Sequence, residues 1–101
     1  MMETKKTNLK IKHDLLGKLF FAKVLGGNAE LHYDRYADEY LDFTSTNVPA
    51  PSRGLGIAGQ VVEEALQFAK EHQMQVKATC PFVADYIEKH PEHQSLLKEK
   101  N

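Results

Sequence analysis

A glycine-rich turn between a strand and a helix constrains this 101-residue chain more than any other feature. The turn spans 48–59 and reads VPAPSRGLGIAG, after strand-like residues and before an amphipathic helix predicted over 57–71. The first N–H groups of a helix have no intrahelical acceptor, and the helix dipole adds positive charge there. Gly54 and Gly56 allow these donors to approach a ligand closely. The turn therefore predicts an anion site, most naturally one for phosphate.

Three known glycine-rich loops compete for this stretch. Gly54-x-Gly56-x-x-Gly59 matches a dinucleotide-binding fingerprint, but the next predicted strand carries no acidic residue for a ribose, and too little chain follows for further βα units. A P-loop would end in Gly-Lys-Ser/Thr, and no lysine is present here. The third pattern, Arg-x-x-Gly-x-Ala, runs from Arg53 to Ala58 and resembles the coenzyme A pyrophosphate loop of the GNAT N-acetyltransferases. We favour the third interpretation.

The resemblance extends beyond the loop. Val48-Pro49 precedes it, and Cys80-Pro81-Phe82-Val83-Ala84 and His90-Pro91-Glu92 follow it, in the order found in a small single-domain GNAT-like subfamily. The match covers about 46–97, whereas the first half of the chain resembles the subfamily only in its hairpin pattern. The resemblance implies acetyl-CoA or coenzyme A as the cofactor, with the pantetheine arm lying between two parallel strands that splay apart.

The same resemblance implies which residues bind the cofactor. It assigns backbone contacts with the pantetheine arm to Asn47 and Val48, and contacts with the pyrophosphate to the amides of the loop. The full implied set is Asn47, Val48, Arg53, Gly54, Leu55, Gly56, Ile57, Ala58, Gly59, Cys80 and Phe82. The alternative for the glycines is an ordinary strand-to-helix turn, and the alternative for Arg53 is a surface arginine.

Cys80 is the candidate catalytic residue. Pro81 favours the first turn of a helix, so Cys80 falls at or beside the helix N-cap, where the dipole favours a thiolate. The resemblance places Cys80 at the thioester end of the cofactor, as an acyl-accepting nucleophile or as the acid that protonates the departing thiolate. The alternative is a small buried residue that lines the pantetheine slot.

Two departures from the family's pattern concern the catalytic acid and base. Many GNAT enzymes carry a tyrosine general acid seven residues after the cysteine position, and this chain has Ile87 there. Tyr86, beside it, is expected to face elsewhere. The subfamily often has a histidine where this chain has Ser45, so no general base is evident. His90 and His93 match no zinc motif, and we predict no metal site.

Hydrophobic periodicity predicts an α+β, GNAT-like fold. Four segments with strand character alternate with turn residues and predict an antiparallel meander: 9–11, 18–25, 29–34 and 40–48. Helical spacing over 57–71 followed by a strand over 76–79 predicts a right-handed β-α-β crossover with parallel strands, which the resemblance implies are splayed. A C-terminal helix is expected to begin at Pro81.

Composition limits the partners and the compartment. A hydrophobic content of 42% and a charged content of 27% suit a single domain, for which we expect a flexible tail at 1–7 and a minimal GNAT-like domain at 8–101. A net charge of −1 gives no attraction for nucleic acid, and no apolar run is long enough to cross a membrane. One cysteine suits a reducing compartment. We therefore expect a cytoplasmic monomer or weak dimer.

Two functions follow from the resemblance. The first is an acetyl-CoA-dependent N-acetyltransferase of an amine acceptor, acting by direct attack or through Cys80. The second is a non-catalytic acyl-CoA-binding module, which Ile87 and Ser45 favour because they replace an acid and a base. No helical segment separates the first two strands, where the family usually builds a wall of the acceptor site. The acceptor cleft is therefore expected to be open, which suits a large acceptor such as a protein amine.

Overall fold

The computed structural model describes residues 9–98, so the predicted tail at 1–7 lies outside the described residues. The strands are β1 (Lys12–Asp14), β2 (Leu19–Val24), β3 (Gly27–Tyr36), β4 (Tyr40–Asn47) and β5 (Gln75–Ala78). The helices are α1 (Ile57–Glu71) and α2 (Pro81–Lys89), with 3-10 helices at Ala50–Ser52 and Pro91–Leu96. Neither α1 nor α2 has the length and apolar content that crossing a bilayer requires.

The strands form one mixed sheet in the order β1-β2-β3-β4-β5. The first four are antiparallel and make the predicted meander, and β4 and β5 are parallel, as predicted for a β-α-β unit. The predicted edge strand at 9–11 is wrong in position. The pairing with β2 begins at Lys12, and Leu9 and Ile11 precede it, with their side chains packed against the hydrophobic core.

Both helices cover the same face of the sheet. The buried stripe of α1 and the inner side of α2 belong to one core cluster with the inward-facing strand residues. Its largest fully buried side chains are Phe20, Phe43, Leu31, Leu41, Leu66, Ile87, Val61, Val62, Val76 and Val83. Burial of each such side chain contributes roughly 1.5–3 kcal/mol. The opposite face carries the alternate strand residues, and neither α1 nor α2 packs on it; we call it the open face.

The strand β4 changes its pairing along its length. Its register with β3 shifts between the pairs His32–Ser45 and Tyr33–Phe43, which leaves Thr44 as the extra residue of a β-bulge. Its pairing with β5 ends at Phe43, whose carbonyl still accepts a hydrogen bond from the Cys80 N–H at 2.8 Å. Within residues 9–98, the end of β4 after Phe43 pairs with β3 alone. β5 ends at Ala78, opposite Phe43, and the chain then turns into α2; we call this point the split, and the splaying of the two strands themselves stays a prediction.

Candidate functional site

The first turn of α1 has neither a cap nor an obstruction. Gly56 is the N-cap residue, with φ 77°, and provides no side chain to accept from the first N–H groups of the helix. Gly54 also has a positive φ, of 80°. A Cβ atom added to either glycine would meet nothing within 4 Å. The N–H groups that a helix cannot satisfy internally are thus left beside open space.

A cavity of about 270 Å³ lies at this turn. Its walls come from the residue that follows β4, the loop, the first turn of α1 and the start of α2, and they comprise Val48, Ser52, Arg53, Gly54, Gly56, Ile57, Ala58, Gly59 and Phe82. Most of the residues implied by the family resemblance therefore meet in one place. Three of them do not line it: Asn47 and Leu55 are exposed, and Cys80 is buried.

Two of the larger concavities, compared with this cavity, suit the anion expected at the loop less well. One of about 510 Å³ adjoins the first and shares Gly56 and Gly59 with it. Glu63 and Glu64 also line that concavity, so their carboxylates would repel a phosphate. The other, of about 490 Å³, lies between β5 and α2 and contains none of the residues implied by the resemblance. Of these three, the smaller cavity, which no carboxylate of the described residues lines, is the better site for the anion expected at the loop.

The loop is braced by contacts that the sequence analysis did not predict. Ser52 is buried, and its hydroxyl donates to the Leu25 carbonyl at 2.8 Å. Pro51 packs against Gly26, where an added Cβ would lie 2.9 Å from the proline Cδ. Arg53 donates from Nε to the carbonyl of Val48 at 2.9 Å, which holds this side chain against the cavity wall. The hairpin turn between β2 and β3 thus supports the loop.

Cys80 lies at the N-cap of α2, as predicted. Its side chain is buried, with 5% of the residue exposed. Its Sγ atom lies 3.3 Å from the hydroxyl of Thr46, in a hydrogen bond for which either atom can be the donor. Thr46 belongs to the part of β4 that β5 leaves unpaired, so this contact joins the two sides of the split. Sequence reasoning did not assign Thr46 to the site, because its partner is distant in the chain.

Tyr86 faces Glu63 and not the cavity, in line with the sequence analysis. Its hydroxyl donates to Oε1 of Glu63 at 2.6 Å, and Nε2 of the buried His93 donates to the same oxygen at 2.8 Å. Burial and the hydrogen bond to Glu63 raise the pKa of Tyr86. Burial alone would raise the pKa of Glu63, but hydrogen bonds from Tyr86, Gln67 and His93 outweigh it and lower that pKa. This cluster ties α2 and the last 3-10 helix to α1.

Local contacts also fix the position of the His90 side chain. The His90 ring stacks on Tyr86, with 3.9 Å between ring centroids, and its Nδ1 donates to the Tyr86 carbonyl at 2.7 Å. Within residues 9–98, no three histidine, cysteine or acidic side chains are grouped as a metal site would need.

A bulged strand that parts from its parallel neighbour, beside an uncapped glycine turn, defines a GNAT-like fold. The NMR solution structure of a GCN5-like protein from Staphylococcus aureus has this fold, with a TM-score of 0.67 and 19% sequence identity. That match covers 95% of this chain and 94% of the other. At this identity the similarity establishes the fold alone.

Sequence comparison identifies the family. The family model of the GCN5-related N-acetyl-transferases matches residues 20–96, and the chain belongs to this family. Protein NATD1 of Xenopus tropicalis is 27% identical over 92 residues, which cover 89% of this chain and 84% of that protein. Protein NATD1 of Mus musculus is 29% identical over 90 residues, which cover 87% of this chain and 82% of that protein.

Proposed function

We propose that this protein is an acetyl-CoA-dependent N-acetyltransferase. One observation carries the proposal: the uncapped first turn of α1 lines a single cavity together with Val48, the residue that directly follows the unpaired end of β4. Membership of the GCN5-related N-acetyl-transferase family supports the same activity, because this family generally uses acetyl-CoA.

The chemistry of the cavity fits a diphosphate. The N–H groups of the first helical turn and the positive end of the α1 dipole point to an anion, and Arg53 adds a cation at the cavity wall. Gly54 and Gly56 leave the space that a closely approaching phosphate needs. We therefore assign the pyrophosphate of coenzyme A to the loop from Arg53 to Gly59.

The unpaired part of β4 fits the pantetheine arm. This arm contains amide groups, and an exposed strand edge offers N–H and C=O groups that pair with amides in the manner of an added strand. Residues 44–47 of β4 have no strand partner on the β5 side within the described chain. This edge leads from Val48 toward Cys80, so the thioester end would lie near the contact between Cys80 and Thr46.

Acetyl-CoA supplies an activated acyl group as a thioester. Transfer requires an unprotonated amine at the thioester carbon, formation of the new C–N bond, cleavage of the C–S bond and a proton for the departing sulfur. The Cys80 thiol and the Thr46 hydroxyl share one hydrogen bond at the split and can deliver that proton. Direct attack by the amine is favoured over an acyl-cysteine route, because only 5% of Cys80 is exposed.

The proposal is tested by titrating acetyl-CoA and coenzyme A into the protein by calorimetry, and by following acetylation of an amine panel by mass spectrometry. We expect saturable binding and acetylated amine, with no acetyl adduct on the protein. A Cys80→Ser variant should retain binding, and turnover should decrease if the thiol is the acid. An adduct on the wild-type protein that is absent from Cys80→Ser would establish the covalent route instead.

A specific observation favours a second candidate, a non-catalytic acyl-CoA-binding module. Tyr86 is held by Glu63, and Ile87 is buried, so no phenol reaches the cavity among the described residues. Saturable binding of acetyl-CoA without turnover on any amine of the panel would support this candidate. Absence of binding by either form of the coenzyme would refute both functions.

A further inference from the structure

The diphosphate assigned to the loop carries two substituents, the pantetheine arm and an adenosine. The arm leaves the cavity at Val48, next to the unpaired end of β4. The concavity of about 510 Å³ opens from the same cavity at Gly56 and Gly59 and is large enough for a nucleoside. We call it the side concavity, and its walls comprise Leu9, Ile11, Gly56, Gly59, Gln60, Glu63, Glu64 and Tyr86. The adenosine end of the coenzyme is expected to lie there.

The walls of the side concavity suit an uncharged heterocycle better than a phosphate. Leu9 and Ile11 provide apolar surface, and Tyr86 of α2 provides an aromatic ring. Apolar and aromatic walls with a few polar groups are typical of sites for small molecules. Among residues 9–98, no lysine or arginine lines this concavity. Adenine and ribose therefore find suitable walls, whereas a phosphate attached to the ribose finds no cation.

The two carboxylates of the side concavity differ in their surroundings. Oε1 of Glu63 accepts hydrogen bonds from Tyr86 at 2.6 Å and from His93 at 2.8 Å, and its Oε2 accepts one from Gln67 at 2.9 Å. These three donors offset much of the charge of Glu63. Glu64 is exposed, and within residues 9–98 no cation pairs with it. Glu64 thus provides the uncompensated negative charge.

The distance of Glu64 from the loop matches the size of a ribose. Glu64 follows Gly59 by five residues on α1, which corresponds to about 7.5 Å along the helix axis. In coenzyme A the ribose joins the diphosphate through its 5′ oxygen and carries a further phosphate on its 3′ oxygen. A single sugar ring therefore separates the 3′-phosphate from the loop. Charges of the same sign at this separation lie within the screening length of about 10 Å at 0.1 M salt, so they repel each other.

We infer that Glu64 selects an acyl donor that lacks the 3′-phosphate. This inference rests on the proposed acetyltransferase function and narrows its donor class to thioesters of pantetheine diphosphate with a free ribose 3′-hydroxyl. Acetyl-dephospho-coenzyme A is the simplest member of that class. Its 3′-hydroxyl can donate a hydrogen bond to the Glu64 carboxylate, whereas a 3′-phosphate is repelled by it. Acetyl-CoA is then the weaker of the two ligands.

The inference is tested by calorimetric titration of coenzyme A and dephospho-coenzyme A into the same proteins at about 0.1 M salt. We expect wild-type protein to bind dephospho-coenzyme A at least about threefold more tightly than coenzyme A. Glu64→Gln should bind the two ligands within about twofold of each other, because the repulsion is removed. Glu64→Lys should reverse the preference, because a cation then lies beside the 3′-phosphate.

Glu71→Lys is the matched control. It makes the same change of charge on the same helix, but Glu71 is the last residue of α1 and does not line the side concavity. Its position is about 10 Å farther along the axis than Glu64, where screening is strong. This variant should keep the wild-type preference for dephospho-coenzyme A.

Three results would overturn the inference. They are wild-type affinity for coenzyme A equal to or above that for dephospho-coenzyme A, a preference that persists in Glu64→Gln, and equal shifts in Glu64→Lys and Glu71→Lys. The last result would indicate a general effect of net charge. The proposed function fails in a different way: wild-type protein would then bind neither ligand, and this inference would fail with it.

Discussion

Gly26 and Gly56 both have a positive φ angle, yet one is closely packed and the other borders open space. Their φ angles are 94° and 77°, values that favour glycine. A Cβ added to Gly26 would lie 2.9 Å from Pro51, whereas one added to Gly56 would meet nothing within 4 Å. The first glycine is required by close packing of the protein against itself. The second leaves space at a helix N-terminus, which is what a ligand-binding turn requires.

The turn at Gly26 supports the loop, whereas the turn at Gly56 is the proposed binding surface. Gly26 belongs to the turn that packs under the loop, and Ser52 connects the two through the Leu25 carbonyl. Substitutions on the packed side should therefore change the free energy of unfolding, and those on the open side should change ligand affinity.

Gly56→Asp should weaken coenzyme A binding by at least about 100-fold, or roughly 2.8 kcal/mol, because a carboxylate would occupy and repel the phosphate position. The positive φ adds strain of roughly 1–2 kcal/mol to the folded state. Gly56→Asn is the matched control, since it has nearly the same shape and strain without the charge, and it should lose less affinity. Calorimetric affinity equal to that of wild type would refute our placement of the pyrophosphate.

Gly26→Ala should lower the free energy of unfolding by about 2–4 kcal/mol, from backbone strain and from the clash with Pro51. Gly27→Ala is the control for the clash alone: its φ of 142° also brings backbone strain, but its Cβ would lie 3.5 Å from Pro49, an ordinary contact, so it should lose less stability. Denaturant titration measures both. If Gly26→Ala reduced coenzyme A affinity as much as Gly56→Asp, the division between packed and open sides would be wrong.

Ser52→Ala should lower the free energy of unfolding by about 1 kcal/mol, because the Leu25 carbonyl loses its donor. The exposed Ser45 provides the comparison, and Ser45→Ala should change stability little. Equal stability of wild type and Ser52→Ala would show that the hairpin turn does not support the loop through this bond.

Glu63→Gln should have the smallest effect, roughly 0.2–1 kcal/mol, because the carboxylate is partly exposed. The pKa of Glu63 is lowered in the folded state, so its contribution is present above the pKa of the unfolded chain and is lost as pH falls through the folded pKa. The difference from wild type should thus be largest near neutral pH and vanish in acid. Coenzyme A affinity should be unchanged, since this cluster lies outside the cavity at the loop.

Most of the local structure could be predicted because the responsible signals are local. The period of α1 and the alternation along β3 showed which sides would be buried, and both helices begin where glycine or proline indicated. The edge strand was misplaced because alternation at Leu9 and Ile11 cannot distinguish strand pairing from packing against the core. Tyr86 was expected to face away from the site, but its partner Glu63, and His93 on the same carboxylate oxygen, could not be found from spacing.

The sequence by itself determined the order of elements, the family and the glycine turn, since periodicity, turn residues and a local motif are all encoded in neighbouring positions. Only the tertiary structure decided that Gly26 is packed and Gly56 open, that Thr46 reaches Cys80, and that His32 lies opposite Ser45. These relations depend on strand register and on the approach of distant segments. A shift of one residue in register moves a side chain to the other face, and no local pattern records that choice.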